Sequence, residues 1–451
     1  MADTGPETSL IPEGVSLPRN AVVCMPERKL PMSPCRRLQR WAATALLALA
    51  AVGAQAELRF RIEELGYEGR HGPSEFFWPA AINNHGQVVG YLQQEVPRDD
   101  YTELLTTAYV SRGSRLLPLP GSGAFRQSSA SGINDRGQVV GDYQPSDVPG
   151  NVPFIHADGS YRDLRVESKT GWDYTSGINA SGQVAGRANA KAFFFDGRHS
   201  RYIDIPGAVA SDVAGLNDRG EVLGNAVFER AGGGFERRAF VFDGQEAKFL
   251  PDPLQEGYQG FAPVGINNAG HIVGRAYRPD DQSVRSVIYG AGGRLTELGG
   301  LYGRADRTEV TALNDRDWAV GLVRDVDCNE FSCNEAFLWR DGRMAGLTGL
   351  LLPSQAQGWQ LTHAADVNDR GQIVGTGWHH GFFTTFVLTP VPEPRGWALL
   401  LAGLGAVGLG TRRRPGSAGM GWKCMDRARP FSASGHAVCD AALAGVLERK
   451  P

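Results

Sequence analysis

The stretch INDRGQVVG, Ile133 to Gly141, decides the fold, because the chain writes it again and again. Variants stand at INNHGQVVG (Ile82 to Gly90), INASGQVAG (Ile178 to Gly186), LNDRGEVLG (Leu216 to Gly224), INNAGHIVG (Ile266 to Gly274), LNDRDWAVG (Leu313 to Gly321) and VNDRGQIVG (Val367 to Gly375). Each copy reads apolar, Asn, two variable residues, Gly, one variable residue, two apolar residues, Gly. An Asn that opens a type I turn bonds its own backbone, and a Gly in the left-handed position that follows completes a bulged hairpin. The turn pairs are therefore Asn83 with Gly86, Asn134 with Gly137, Asn179 with Gly182, Asn217 with Gly220, Asn267 with Gly270, Asn314 with Asp317 and Asn368 with Gly371. Asp317 is the one departure from Gly, and Asp is among the few residues that tolerate a left-handed backbone.

A second element follows each motif after a gap: AYVSRGS from Ala108, PFIHADGS from Pro153, AFFFDGR from Ala192, AFVFDGQ from Ala239, SVIYGAGG from Ser286, AFLWRDGR from Ala336 and TFVLTP from Thr385. A short aromatic and aliphatic strand meets a turn, usually Asp-Gly, and a further strand follows, as in YIDIPG from Tyr202 or RLTELGG from Arg294. Each unit thus carries four strands. The motif asparagines are separated by 51, 45, 38, 50, 47 and 54 residues. Four short strands at that period predict an all-β, propeller-like fold of seven four-stranded blades, with a six- or eight-bladed propeller or a β-solenoid as alternatives. The seventh unit runs from TFVLTP straight into VPEP and lacks a fourth strand, whereas RIEELG (Arg61 to Gly66) precedes any motif and matches RLTELGG. Residues near Leu58 to Leu65 are therefore expected to pair with Thr385 to Leu388 and close the ring, which removes two exposed sheet edges.

In an up-and-down blade the first and third connections share one face, and the second and fourth share the other. The gap between second and third strands differs widely among units, from Arg187 to Lys191 in the third, to Leu322 to Glu335 in the sixth and Tyr91 to Thr107 in the first. Variable connections gathered on one face are the expected binding surface.

The two ends carry address information. From Met32 the chain reads MSPCRRLQRWAATALLALAAVGAQA, with Arg36, Arg37 and Arg40, an apolar run from Trp41 to Gly53, and a small-x-small site at Ala54 to Ala56. That is a secretory signal over residues 32–56, with the mature chain beginning at Glu57; the apolar run is too short to span a bilayer. Residues 1–31 show no periodicity and read as a leader upstream of the true start at Met32. Near the other end stands VPEPRGWALLLAGLGAVGLGTRRRP: the triplet Pro392, Glu393 and Pro394, an apolar run from Trp397 to Gly410, and the cluster Arg412, Arg413 and Arg414. Arginines hold their end of such a run on the cytoplasmic side.

This tail, residues 391–414, resembles the PEP-CTERM sorting signal of Gram-negative bacteria. The resemblance implies an exosortase-type processing enzyme as partner, transient anchoring in the inner membrane through the C-terminal helix, cleavage near the triplet, and a cell-surface or extracellular destination linked to exopolysaccharide and biofilm. Residues 415–451 form an atypical extension, since the family signal normally ends the protein. The repeated motif with its Ala-Phe element, from about Phe77 to Leu388 within a domain of residues 57–390, also resembles the HAF repeat of predicted extracellular bacterial proteins. That resemblance implies β-rich repeats and an extracellular location, and brings no catalytic residues.

Composition narrows the function classes. The 59 glycines among 451 residues are about twice the usual ~7 per cent, and they sit largely in turns. A formal net charge of -3 offers no electrostatic footprint for nucleic acid. Once the ends are set aside, Cys328 and Cys333 remain in CNEFSC, and in an exported protein they are expected to form a local disulfide. The chain has no His-Glu-x-x-His, no Gly-x-Ser-x-Gly and no phosphate-binding Gly-rich loop. His379 and His380 read as flanks of a strand, each motif turn offers at most one Asp for calcium, and Glu63 with Glu64 carries no placed cleft. No cofactor, metal site or catalytic residue is assigned. The expected function is a secreted, surface-sorted binding or structural module of the envelope or exopolysaccharide matrix, which would bind polysaccharide or an envelope protein. The alternatives are a polysaccharide-acting enzyme on a propeller scaffold and an adhesin or ice-binding surface protein.

Overall fold

The computed structural model describes residues 58–67, 75–146, 150–166, 173–251, 257–279, 283–290, 293–301, 307–324 and 333–391. The signal residues Ala54, Ala56 and Glu57, the sorting residues Pro392 to Pro394 and Arg412 to Arg414, and Cys328 lie outside them.

Five separate four-stranded sheets and one eight-stranded sheet make up the domain. The eight-stranded sheet is two blades joined through the strand Arg59–Tyr67. Counted in this way the fold is a seven-bladed β-propeller. Blades 1 to 6 occupy residues 75–118, 127–163, 174–202, 210–249, 261–297 and 307–346, and blade 7 occupies residues 359–391 plus the N-terminal strand. Within every blade the consecutive strands pair antiparallel. Among the described residues helix is limited to short 3-10 turns, such as Ser122–Ala124 and Thr348–Leu350.

The ring closes as the sequence predicts. Arg59–Tyr67 lies antiparallel to Phe382–Val391, with Ile62 opposite Leu388 and Leu65 opposite Thr385. Phe60 of this strand is fully buried, packed with Leu347, Leu351, Trp359, Leu361 and Phe386. The strand then crosses to the first blade, where Gly66 and Tyr67 pair in parallel with Arg115 and Leu116.

The hydrophobic core is a series of clusters between neighbouring blades. The last Gly of each motif shapes them. In blade 4 a Cβ on Gly224 would run into the Asp212 carbonyl oxygen and lie 2.7 Å from Cζ of Phe240. The inner strand is bulged there, its register shifting between Val213 and Gly215, so the missing side chain leaves room for both the bulge and the ring. The same Gly-facing-Phe pair recurs at Gly141 with Phe154, Gly186 with Phe193, Gly321 with Phe337 and Gly375 with Phe386. In blades 1 and 5 the ring comes from the inner strand instead, as Phe77 and Phe261.

Candidate binding face and the asparagine ring

Each motif turn folds as its residues dictate. The Gly backbone is left-handed at Gly86, Gly137, Gly182, Gly220, Gly270 and Gly371, with φ from 74° to 83°, and Asp317 adopts 58°. In Asn134, Oδ1 accepts from the backbone N–H of Arg136 and Gln138, both at 3.1 Å. That is the local turn bond expected from sequence.

The amide nitrogen does something the motif does not show. Nδ2 of Asn83 donates to the backbone oxygen of Asn134, Asn134 to Asn179, Asn179 to Asn217, Asn217 to Asn267, Asn267 to Asn314, Asn314 to Asn368, and Asn368 back to Asn83, all at 2.8–3.1 Å. Seven side chains thus form a closed ring around the central channel, each 3–5 per cent exposed. A carbonyl has two lone pairs, and here one takes the turn's own N–H, as Gly137 N to Asn134 O, while the other takes the neighbouring amide.

A second, outer ring lies on the first. The next residue of each motif donates its backbone N–H to a side chain of the following blade: Asn84 to Asp135, Ala180 to Asp218, Asp218 to Asn268, Asn268 to Asp315, Asp315 to Asp369 and Asp369 to Asn84. The seventh link would need an oxygen at position 180, where Ala has none. These side chains line a channel mouth of about 240 Å³. The carboxylates are spent as acceptors within the ring, and among the described residues no group of three or more His, Cys, Asp or Glu is placed to hold a metal ion.

The motif of blade 5 deviates, and its neighbour compensates. In blade 2 the second amide hydrogen of Asn134 goes to Gln138, 2.9 Å away. In blade 5 that position is His271, and Asn267 instead reaches Asp317 of blade 6 at 2.8 Å, with His271 Nδ1 2.7 Å from the same oxygen. Asp317 is therefore more than a tolerated exception. Its carboxylate replaces the acceptor that the His271 motif lacks.

Blade 7 reaches blade 1 through a further contact. Asp366, where other motifs place Ala or Gly, accepts from the N–H of Ile82 at 2.8 Å. Burial pushes its carboxyl up to about 6, against the pull of the Ile82 and Val367 N–H groups.

The opposite face is chemically unlike the ring. The exposed large hydrophobic residues of the described chain are Tyr101, Leu104, Tyr202, Val209, Phe235, Tyr277 and Phe382. Tyr101 lies in the second connection of blade 1, Phe235 and Phe382 open third strands, and Tyr277 closes to within one residue of the end of a second strand. Tyr202 ends an outer strand, Val209 precedes an inner strand, and Leu104 is the third residue of a third strand. Antiparallel pairing puts all seven toward the strand ends away from the asparagine turns.

The connections on this face vary, though not as loops throughout. Blade 3 turns in two residues, Asn189 and Ala190, both left-handed. The long gap of blade 1 is mostly strand, since Val88–Pro97 pairs with Thr102–Arg112 out to Pro97 opposite Thr102. An expected 17-residue loop is thus a projecting hairpin, because Thr102, Glu103 and Leu104 continue the ladder. Its tip is braced by Arg98 and Arg126, 2.8 and 2.9 Å from Glu103, whose carboxyl they hold below its usual range. In blade 6, residues 325–332 of the gap lie outside the described residues.

Of the other residues read from sequence, Cys333 is disulfide-bonded. His379 ends a strand and stacks on Trp359 at 4.2 Å, with Nδ1 3.0 Å from Glu64. His380 occupies the turn that follows at φ 50°. No helix of the described residues is long and apolar enough to cross a membrane, and residues 397–410 are not among them.

Fold and site together define a seven-bladed β-propeller with a hydrogen-bonded polar ring on one face and aromatic tips on the other. No family model and no curated protein matches the chain. Among solved structures it is similar to the β-propeller domain of the trilobed protease from Pyrococcus furiosus, at 10% identity over 61% of this chain and 96% of that chain, TM-score 0.38. It is similar to Porphyromonas gingivalis dipeptidyl peptidase 4 at 9% identity over 70% of this chain and 53% of that one, TM-score 0.39. Trypanosoma rangeli sialidase is similar at 11% identity over 70% and 54%, TM-score 0.33. The chain spans about half the length of the last two. Likeness at these identities concerns architecture, and brings no activity to this chain.

Proposed function

We propose that this protein is an exported, surface-sorted binding module of the cell envelope or exopolysaccharide matrix, and that it engages its ligand through the face opposite the asparagine ring. The observation that carries the reading is the segregation of exposed aromatic side chains. Tyr101, Phe235 and Phe382 are 63, 67 and 77 per cent exposed on blades 1, 4 and 7, all at the ends away from the ring. Large rings left in water at loop and hairpin tips mark an interaction surface. The signal at residues 32–56 and the order of triplet, apolar run and arginine cluster at residues 391–414 support export and processing.

The test is a glycan array on the purified protein with a parallel hydrolase screen. Retained polysaccharide that is released unchanged, with binding weakened by combined Tyr101→Ala and Phe235→Ala, is the expected result. Hydrolysis of the retained glycan, or binding indifferent to every aromatic on this face, would overturn it. Sorting has its own test. Replacing Pro392 and Glu393 should leave export intact and hold a membrane-bound precursor; normal processing of that variant would refute the sorting reading.

A further inference from the structure

Along the same inner strands, towards the mouth opposite the asparagine ring, the chemistry stops repeating. The residue five places before each motif Asn is Trp, Ser, Tyr, Asp, Ala, Glu and His in blades 1 to 7, and five strand residues at ~3.3 Å each set this level roughly 15 Å from the ring. A scaffold that closes by repetition uses one side chain seven times, as it does with Asn. Polar groups that differ from blade to blade add no such closure, and half-burying them without partners costs free energy.

Blades 5, 6 and 7 bring several of these groups together. Glu309 of blade 6 accepts from Nε of Arg324 at 2.9 Å on one carboxylate oxygen, and Arg275 of blade 5 stands 3.7 Å from the other. The register explains the meeting. Glu309 lies opposite Leu322 and Arg307 opposite Arg324, so Arg307, Glu309 and Arg324 share one face of blade 6. Arg275 lies opposite Ser286, whose hydroxyl accepts from the N–H of Val310, so it faces blade 6. His363 of blade 7 feels the same charges: burial pushes its imidazole below the usual range, Glu309 draws it up and Arg324 down. Its ring makes no hydrogen bond among the described residues, and a neutral imidazole offers one donor and one acceptor.

Three guanidinia around one carboxylate leave this cluster positive, and the Arg275 and Arg324 side chains remain 43 and 45 per cent exposed. Elsewhere at this mouth the carboxylates are bonded within their own blades, Asp142 to Ser129, Asp212 to Asn225 and Glu75 to Gln94, with Arg237 3.9 Å from Asp212. The guanidinium fork matches a planar carboxylate. Tyr277 follows Arg275 on the same face of its strand and is also exposed. The face of such a ring is electronegative, and the C–H groups on one side of a pyranose are its natural partners.

We infer that this cluster binds the carboxylate of an acidic sugar, a uronate unit of a polysaccharide, with Arg275, Arg307 and Arg324 as the clamp, Tyr277 as the stacking platform and His363 as a partner for hydroxyls. The inference rests on the binding reading above and gives it a ligand class and an address. The test uses the full-length protein and calorimetry, with a uronate hexamer, a neutral glucan hexamer and inorganic sulfate as probes. The uronate should bind in preference to both, more weakly as salt is raised. Arg275→Ala and Arg324→Ala should each weaken it about tenfold, Tyr277→Ala several-fold, and Arg275→Lys should recover only part, since it keeps the charge and loses the fork. Arg136→Ala on the ring face should leave binding unchanged. Both arginines are exposed, so unchanged melting is the check on their truncation. Preference for the neutral hexamer, or full affinity in the double variant Arg275→Ala with Arg324→Ala, overturns the site. Sulfate bound as tightly as the uronate, with Tyr277→Ala silent, overturns the sugar assignment. If Tyr101→Ala with Phe235→Ala abolishes glycan binding while the arginine variants do not, the binding face stands and this site falls; if the wild type binds no glycan, both readings fall together.

Discussion

Replacing Asn134 by Ala removes one link of the inner ring and one turn at once. The side chain makes four hydrogen bonds: to Gln138 Oε1 at 2.9 Å, to the Asn179 carbonyl at 3.0 Å, and from the N–H groups of Arg136 and Gln138 at 3.1 Å. Each contributes about 1 kcal/mol net, and a buried group left without a partner costs more. Because Asn134 is only 5 per cent exposed, water cannot replace every lost bond, and a total near 4 kcal/mol is expected. For a domain of over 300 residues each kcal/mol shifts the melting point by roughly 1.5 °C, so a fall of about 6 °C should appear in a thermal melt. Asn134→Asp separates the two roles. It keeps the acceptor oxygen for the turn but turns a second oxygen toward the Asn179 carbonyl, so it should be about as damaging at neutral pH although nearly the same shape. Arg136→Ala, exposed on the same turn, is the reference and should stay within about 0.5 kcal/mol. An Asn134→Ala protein with a denaturation midpoint equal to the reference would refute the idea that the ring stabilises the propeller.

Three further outcomes are expected. Phe60→Ala should cost roughly 3–5 kcal/mol, since Phe60 is fully buried in the closing strand, and deleting residues 57–66 should aggregate the protein by baring the edge at Phe382–Val391; a deletion variant that stays monomeric with unchanged melting would sink the closure argument. Asp366 has a folded pKa raised from 3.8 to about 6, chiefly by burial with a small push from Asp369, so the folded state holds its proton more tightly, and the group's contribution falls as pH rises from about 4 to about 6, by roughly 2–3 kcal/mol. Asp366→Asn should flatten the dependence of the urea midpoint on pH across that window, and an unaltered slope would refute the assignment. Asp317→Gly alone should destabilise by about 1–2 kcal/mol by orphaning His271 and the Asn267 amide, whereas Asp317→Gly combined with His271→Gln should restore most of the loss; simple additivity in this double-mutant cycle would show that the pair does not compensate.

What the sequence alone determined is what residues within a few positions of each other decide. Asn83 and Gly86, or Asn217 and Gly220, need only the turn between them to adopt their conformation, so seven hairpins could be read directly. The period between them set four strands per blade. The missing fourth strand after Thr385 and the surplus strand at Arg61 were also legible, because strand count and edge pairing follow from pattern. The tertiary structure decided whatever depends on the next blade. The donor half of six of the Asn points at a carbonyl 38 to 54 residues away, and that of Asn368 at one 285 residues away, and no local rule distinguishes it from an amide left to solvent. Gly224 has no reason to lack a side chain until Phe240 and the bulged strand beside it are in place. Asp317 looked like a tolerated oddity, and became a partner only when blade 5 set His271 against it. The closing strand pairs with two sheets, and Ile62 meets Leu388 from 326 positions away in sequence, brought there by closure of the ring and by nothing local.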